Sequence, residues 1–166
     1  MSACNDTIDS KAEYYARKTY SDVDRIIVVN VDTVTYGDNL NYRISQANHD
    51  IEFCKGLIKQ EKSYIEEIQR YGATHDTSDL HKYNQKLVSE IAWRNALDSL
   101  RISSSAILLE PTAFNCIIAY NGSSNYIWVQ LDKEGNLQNI TKDVNKVLLN
   151  PGDDIPGYLE IYQKYH

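Results

Sequence analysis

Residues 40–71 read LNYRISQANHDIEFCKGLIKQEKSYIEEIQRY. Leu40, Ile44, Ala47, Ile51, Cys54, Ile58, Ile65 and Ile68 recur there at helical spacing, and Gly72 follows as a stop signal. The pattern predicts one amphipathic helix of about eight turns with a single apolar stripe. Past a loop at 72–77, Leu80, Tyr83, Leu87, Ile91, Trp93, Leu97 and Leu100 set out a second apolar face, with Asp76, Thr77 or Ser78 as its cap. A short loop between two such helices predicts an antiparallel helical hairpin over 40–102. The second face widens toward its end, so that end is expected to be the more buried. The first helix outruns the second, which leaves apolar stripe that a symmetric copy in a homodimer could cover.

Working outward, 25–36 reads as a strand. Ile26, Ile27, Val28 and Val29 are consecutive and apolar, which predicts burial on both faces of its first half. Gly37-Asp38-Asn39 breaks the strand, and Asp38 or Asn39 can cap the long helix; alternatively 40–44 closes a hairpin and the helix starts near Ser45. Upstream, 10–20 forms a short helix capped by Ser10. Downstream, 106–141 predicts a meander, with strands at 106–109, 113–120, 126–131 and 137–141. Pro111 stops the first of these, Asn121-Gly122-Ser123-Ser124 turns the central hairpin, and Gly135 serves the next turn. Residues 142–166 form a C-terminal helical segment: a short helix at 142–149, a turn at Pro151-Gly152-Asp153-Asp154, and a closing helix at 157–165 opened by Pro156. The fold class expected is α+β, an antiparallel sheet packed against a long antiparallel helical hairpin, as a single domain over 1–166.

Composition narrows function by exclusion. A net charge of −6 without a Lys/Arg cluster is poorly suited to the phosphate backbone, so no direct nucleic-acid binding is expected. No apolar run approaches the roughly 20 residues of a membrane span, and the N-terminus lacks a secretory pattern. Three widely spaced cysteines, Cys4, Cys54 and Cys116, do not make a disulfide framework, which points to a reducing, cytoplasmic setting. Sequons at Asn5, Asn121 and Asn139 carry no weight in a chain so rich in Asn, Ser and Thr. There are 13 Tyr against two Phe and two Trp. Tyr presents a ring and a hydroxyl and is favoured at binding surfaces; plentiful Asn, Ile, Lys, Asp and Tyr also match an AT-rich coding sequence.

Catalytic signatures are missing: there is no Walker loop, no G-x-G-x-x-G and no G-x-S-x-G elbow. His75, Asp79 and His81 have a conceivable zinc spacing, but a solvated loop explains them as well, and no metal or cofactor is expected. Glu61 interrupts the apolar stripe. It either reaches water or pairs across the hairpin with His81 or Lys86 and so offers the one buried-carboxylate route to an enzyme. The aromatic residues are the stronger candidates. Tyr126 and Trp128 share one face of a strand whose other face carries Ile127, Val129 and Leu131, and Tyr120 is expected across from them. Tyr158 and Tyr162 of the closing helix complete the binding candidates, unless with Ile161 they only close a second small core.

The expectation is therefore a small binding protein acting by protein–protein contact, of a kind that suits a viral or mobile-element inhibitor of a host system in the host cytoplasm. The alternative is a binder or sponge for a small nucleotide or sugar, held between the aromatic sheet face and the helices.

Overall fold

The computed structural model describes residues 7–122, 124–149 and 155–165. The turn expected at Pro151-Gly152-Asp153-Asp154, together with Cys4, Asn5, Ser123 and His166, lies outside the described residues. In chain order the elements are α1 (Ile8–Thr19), β1 (Ile26–Thr35), α2 (Tyr36–Arg70), α3 (Ser78–Ser103), a 3-10 turn (Ser105–Ile107), β2 (Pro111–Tyr120), β3 (Tyr126–Asp132), β4 (Leu137–Thr141), a second 3-10 turn (Val144–Lys146) and α4 (Tyr158–Tyr165). This is an α+β chain with a four-stranded antiparallel sheet in the order β1-β2-β3-β4 and a helix of 35 residues. It divides into two compact units, Met1–Asn39 with Ile107–Asp154, and Leu40–Ala106 with Ile155–His166. No helix among the described residues is long and apolar enough to cross a membrane.

The first unit is the sheet and α1. Strand alternation sends Val28, Val31, Cys116, Ile118, Ile127, Val129 and Leu131 to one side, where they form a single core with Ala12, Ala16 and Val23. The helix closing this core is α1, a partner for the sheet that the sequence had not suggested. Alanines at 12 and 16 let the helix backbone come close, and both are fully buried. Each fully buried Ile or Leu here contributes on the order of 1.5–3 kcal/mol. The α1 cap is Thr7 rather than Ser10: Thr7 Oγ1 accepts from the Ser10 backbone N–H at 3.3 Å.

Three expectations at the ends of the sheet need correction. Segment 106–109 is not a strand. Leu108 O accepts from Gly37 N in the first turn of α2 at 2.9 Å, and just past the segment Glu110 O accepts from Tyr36 N at 3.2 Å, while Ile107 O accepts from Glu110 N at 2.9 Å. Orphan donors of a helix start thus take up the groups a strand would have paired. Pro111 opens β2 instead of stopping a strand, as suits a residue with no N–H to give a ladder. The first half of β1 is shielded on one face only, where Ile26 and Val28 are partly buried: β1 is an edge strand, and Ile27 and Val29 are 66% and 52% exposed. A register shift between Val28 and Asn30 leaves Val29 as the extra residue of a bulge.

The long helix starts earlier than expected, at Tyr36. Thr35 caps it reciprocally with Asp38: Asp38 Oδ2 accepts from Thr35 N (2.9 Å) and Thr35 Oγ1 (2.7 Å), while Asp38 N donates to Thr35 Oγ1 (3.2 Å). Gly37-Asp38-Asn39 therefore begins the helix rather than breaking the strand. At its far end Gly72 has φ +72° and donates to Gln69 O, a left-handed stop.

In the second unit, α2 buries Leu40, Ile44, Ala47, Ile51, Cys54 and Ile58, and α3 buries Trp93 and Leu97 near its end, the end expected to be deeper. Arg101 Nη1 donates to Asn41 Oδ1 at 3.4 Å, so α3 ends beside the second turn of α2 and part of the surplus of α2 is its first turn. Tyr36, Asn39 and Leu40 of that surplus are all buried, so the uncovered stripe offered as a reason for a second copy is not exposed there. The 142–149 helix shortens to the 3-10 turn at Val144–Lys146, capped by Asp143, whose Oδ1 accepts from Asn145 N.

Candidate functional site

The sheet face opposite α1 carries the main candidate. Register sets Ile27, Ala119 and Tyr126 in one cross-strand row and Asn30, Ile117, Trp128 and Thr141 in the next. Tyr126 and Trp128 are brought together as expected, their ring centroids 6.3 Å apart and tilted by 54°. Tyr126 is 39% exposed and Trp128 half-buried. Ala119 is too small to shield the space between Ile27 and Tyr126, so this part of the face presents aliphatic and aromatic groups to solvent.

The following row is polar and closed. Asn115, Gln130 and Asn139 stand side by side on β2, β3 and β4. Gln130, 1% exposed, donates through Nε2 to Asn115 Oδ1 and Leu148 O (both 2.8 Å) and accepts at Oε1 from Asn139 Nδ2 (2.9 Å) and Leu148 N (2.7 Å). Every hydrogen-bonding position of the amide is filled. Asn139 Nδ2 also donates to Lys146 O at 3.0 Å, so the ladder straps the 144–148 segment onto this half of the face. The sequence reading missed the ladder; the signal was a Gln at an alternating position inside a strand of apolar residues.

Tyr120 is not part of this face. It pairs with Ile26, packs against the α1 core, and its ring lies under the Lys142 ammonium at 4.5 Å. The same ammonium is 4.5 Å from the Tyr20 centroid and donates to both carboxylate oxygens of Asp22 at 3.1 and 2.9 Å. The hydrogen bond from Lys142 lowers the Asp22 carboxyl below its usual range, and the Asp22 carboxylate raises Lys142. The reason for the misplacement is one of parity: Tyr120 N bonds Asn125 O across the turn, which puts Ala119 and not Tyr120 beside Tyr126.

Tyr158 and Tyr162 belong to the second unit. They stack on each other at 5.8 Å and 29°, and both meet Trp93 edge-on at 5.8 and 5.9 Å, with Tyr165 at 6.1 Å from the same indole. Arg43 lies over the Tyr158 ring at 4.9 Å. Burial, partly offset by Arg43, raises the Tyr158 phenol.

The remaining candidates resolve locally. Glu61 pairs with His75 of the interhelical loop, Oε1 to Nε2 at 2.9 Å, and not with His81 or Lys86; Tyr64 meets the His75 ring edge-on at 5.0 Å. Asp79 is engaged by Lys82 and His81 by Gln85, so the three residues of the conceivable zinc set are not gathered, and no group of three potential ligands occurs among the described residues. Burial raises the Cys54 thiol and pushes Cys116 up to about 12, which removes the thiolate from both near neutrality. Comparison with protein families, with curated proteins and with solved structures finds no match to the chain.

Proposed function

We propose that the protein is a non-catalytic binding protein that acts by contact with another protein through the outer face of its sheet. One observation carries this reading: Ile27, Val29 and Tyr126 are exposed on the uncovered part of that face, beside Trp128 and Ile117. Water-facing apolar groups gathered in one place mark interaction surfaces more often than isolated ones do, and Tyr and Trp are the residues that dominate such contacts. The bulge at Val29 turns the edge of β1 away from simple strand addition, which favours side-chain contact over pairing of strands. The composition, rich in Asn, Ile, Lys, Asp and Tyr, supports extending the reading to a viral or mobile-element inhibitor of a host system. The free thiols Cys54 and Cys116 suit the reducing cytoplasm where such an inhibitor would work.

The experiment is photo-cross-linking in the cells that make the protein, with the photoreactive side chain at position 27. The expected result is one discrete protein adduct that disappears when Val29→Lys or Trp128→Ala is added. No adduct, or an adduct indifferent to both substitutions, would overturn the reading.

A further inference from the structure

We propose that the open groove of the helical hairpin binds an acidic amphipathic helix of a partner protein. The hairpin of α2 and α3 has two grooves, one on each flank of its seam. Helix α4 lies along the first: its Tyr158 and Tyr162 share an opening with Arg43 and Asp50 of α2 and Trp93 of α3. The second groove, of about 520 Å³, is lined by α2 and α3 alone. At about 100° per residue, its Lys55, Lys59 and Lys62 fall on the opposite flank of the buried α2 stripe from Arg43 and Asp50. The hairpin thus already takes one amphipathic helix, from its own chain, and keeps a second place of the same kind uncovered.

The floor of the open groove is apolar. Ile58 is buried there and Leu87 half-buried. Asn84, Leu87, Val88 and Ile91 stand at i, i+3, i+4 and i+7 and share one side of α3. Val88 and Ile91 are 68% and 39% exposed, so the apolar stripe continues past the opening in contact with water. Such a row of anchors is what a helix laid into a groove covers. A small molecule would leave most of this open surface wet, and a bilayer surface would not reach Ile58 on the floor.

The α2 rim decides the charge of the occupant. Lys55, Lys59 and Lys62 follow one another about one turn apart. Lys55 is paired with Glu52, and Glu66 also lines the opening. Lys59 and Lys62 have neither an ion pair nor a hydrogen bond among the described residues. The rim is therefore positive in a chain whose net charge is −6. Carboxylates along one edge of a bound helix answer these ammonium groups while its apolar side covers Leu87, Val88 and Ile91. The inference stands apart from the sheet-face reading, since it uses none of those residues.

The test is a titration of the whole chain with a synthetic amphipathic helix of about 18 residues built from Leu, Ala and Glu, followed at the backbone amide signals. The same peptide with Lys in place of Glu is run in parallel. The Glu peptide is expected to move the amides of 58–62 and 84–91 saturably, while the Trp93 indole N–H beside α4 stays in place. The Lys peptide should bind at least about tenfold more weakly. Lys59→Glu with Lys62→Glu should weaken the Glu peptide by a similar factor, and so should Val88→Gln with Ile91→Gln. All four side chains are exposed, and circular dichroism checks that each variant is folded; Lys59→Glu alone, with a smaller loss, serves if the charge-reversed pair is not. No saturable shift, equal binding of the two peptides, or binding indifferent to the lysines would overturn the proposal. So would 58–62 and 84–91 signals that move only with phosphatidylserine vesicles or only with protein concentration, which would give the groove to a membrane or to a second copy.

Discussion

Gln130 shows how one residue can divide a surface. Its amide meets four partners at 2.7 to 2.9 Å on two neighbouring strands and the 148 backbone, and so closes half of the outer sheet face while the other half stays open. Gln130→Leu keeps the volume but leaves Asn115, Asn139 and both Leu148 backbone groups short of a partner. It is expected to lower stability by about 3 kcal/mol, read as a shift in the urea midpoint, because unsatisfied buried groups cost about 1–3 kcal/mol each and some of these can rotate to water. A neutral effect would show that the ladder is not closed. Asp132 acts by charge. Burial alone would raise its carboxyl, but hydrogen bonds from the Asn136 side chain and backbone, with the Glu134 and Gly135 N–H groups, hold it below the ordinary 3.8. The unfolded carboxyl then takes up a proton more readily than the folded one. The stabilisation is present above 3.8 and is lost as pH falls below it. Asp132→Asn should therefore flatten the acid limb of a stability–pH curve below pH 4 and change little of its slope near neutrality.

At the level of elements, the long helix was legible because eight apolar residues kept one period, and its C-terminal stop was legible because Gly72 takes the positive φ that period demands at its end. Its start was not, since Thr35 and Asp38 cap each other across Gly37, a residue that reads as a breaker in isolation. Gly37 is needed for a tertiary reason: a Cβ there would sit 3.0 Å from Leu108 O. Alanine normally stabilises a helix interior by about 1 kcal/mol over glycine. Gly37→Ala is expected to do the reverse and lower the melting temperature, because the carbonyl it meets is backbone and cannot rotate away; a higher melting temperature would contradict that account. The same carbonyl explains why 106–109 was misread. Ala106-Ile107-Leu108-Leu109 has a strand-like composition, but its Leu108 carbonyl is claimed by a helix distant in sequence and its Ile107 carbonyl by the nearby Glu110 N–H. For the candidate site, Tyr126 and Trp128 were legible from alternation alone. Tyr120 was not, because its side depends on how residues 121–125 turn the chain, which alternation does not specify.

For the whole molecule, the order of the sheet decides what is available for contact. The stretch 36–110 is inserted between β1 and β2, which nevertheless pair along nearly their full length and leave β1 at the edge. One face of the sheet is consumed by α1, and the polar ladder closes part of the other. What stays open is the corner around Ile27, Val29 and Tyr126, whose side chains face water in the free protein and, on the proposed function, are covered only by a partner. The urea midpoint of the Ile27→Lys, Val29→Lys double variant tests this most directly. Substitutions on a solvent-facing surface usually stay within about 0.5 kcal/mol each, so a midpoint close to that of the parent is expected. A loss of more than about 2 kcal/mol would mean that these side chains are packed within the chain's own fold, and would contradict that expectation.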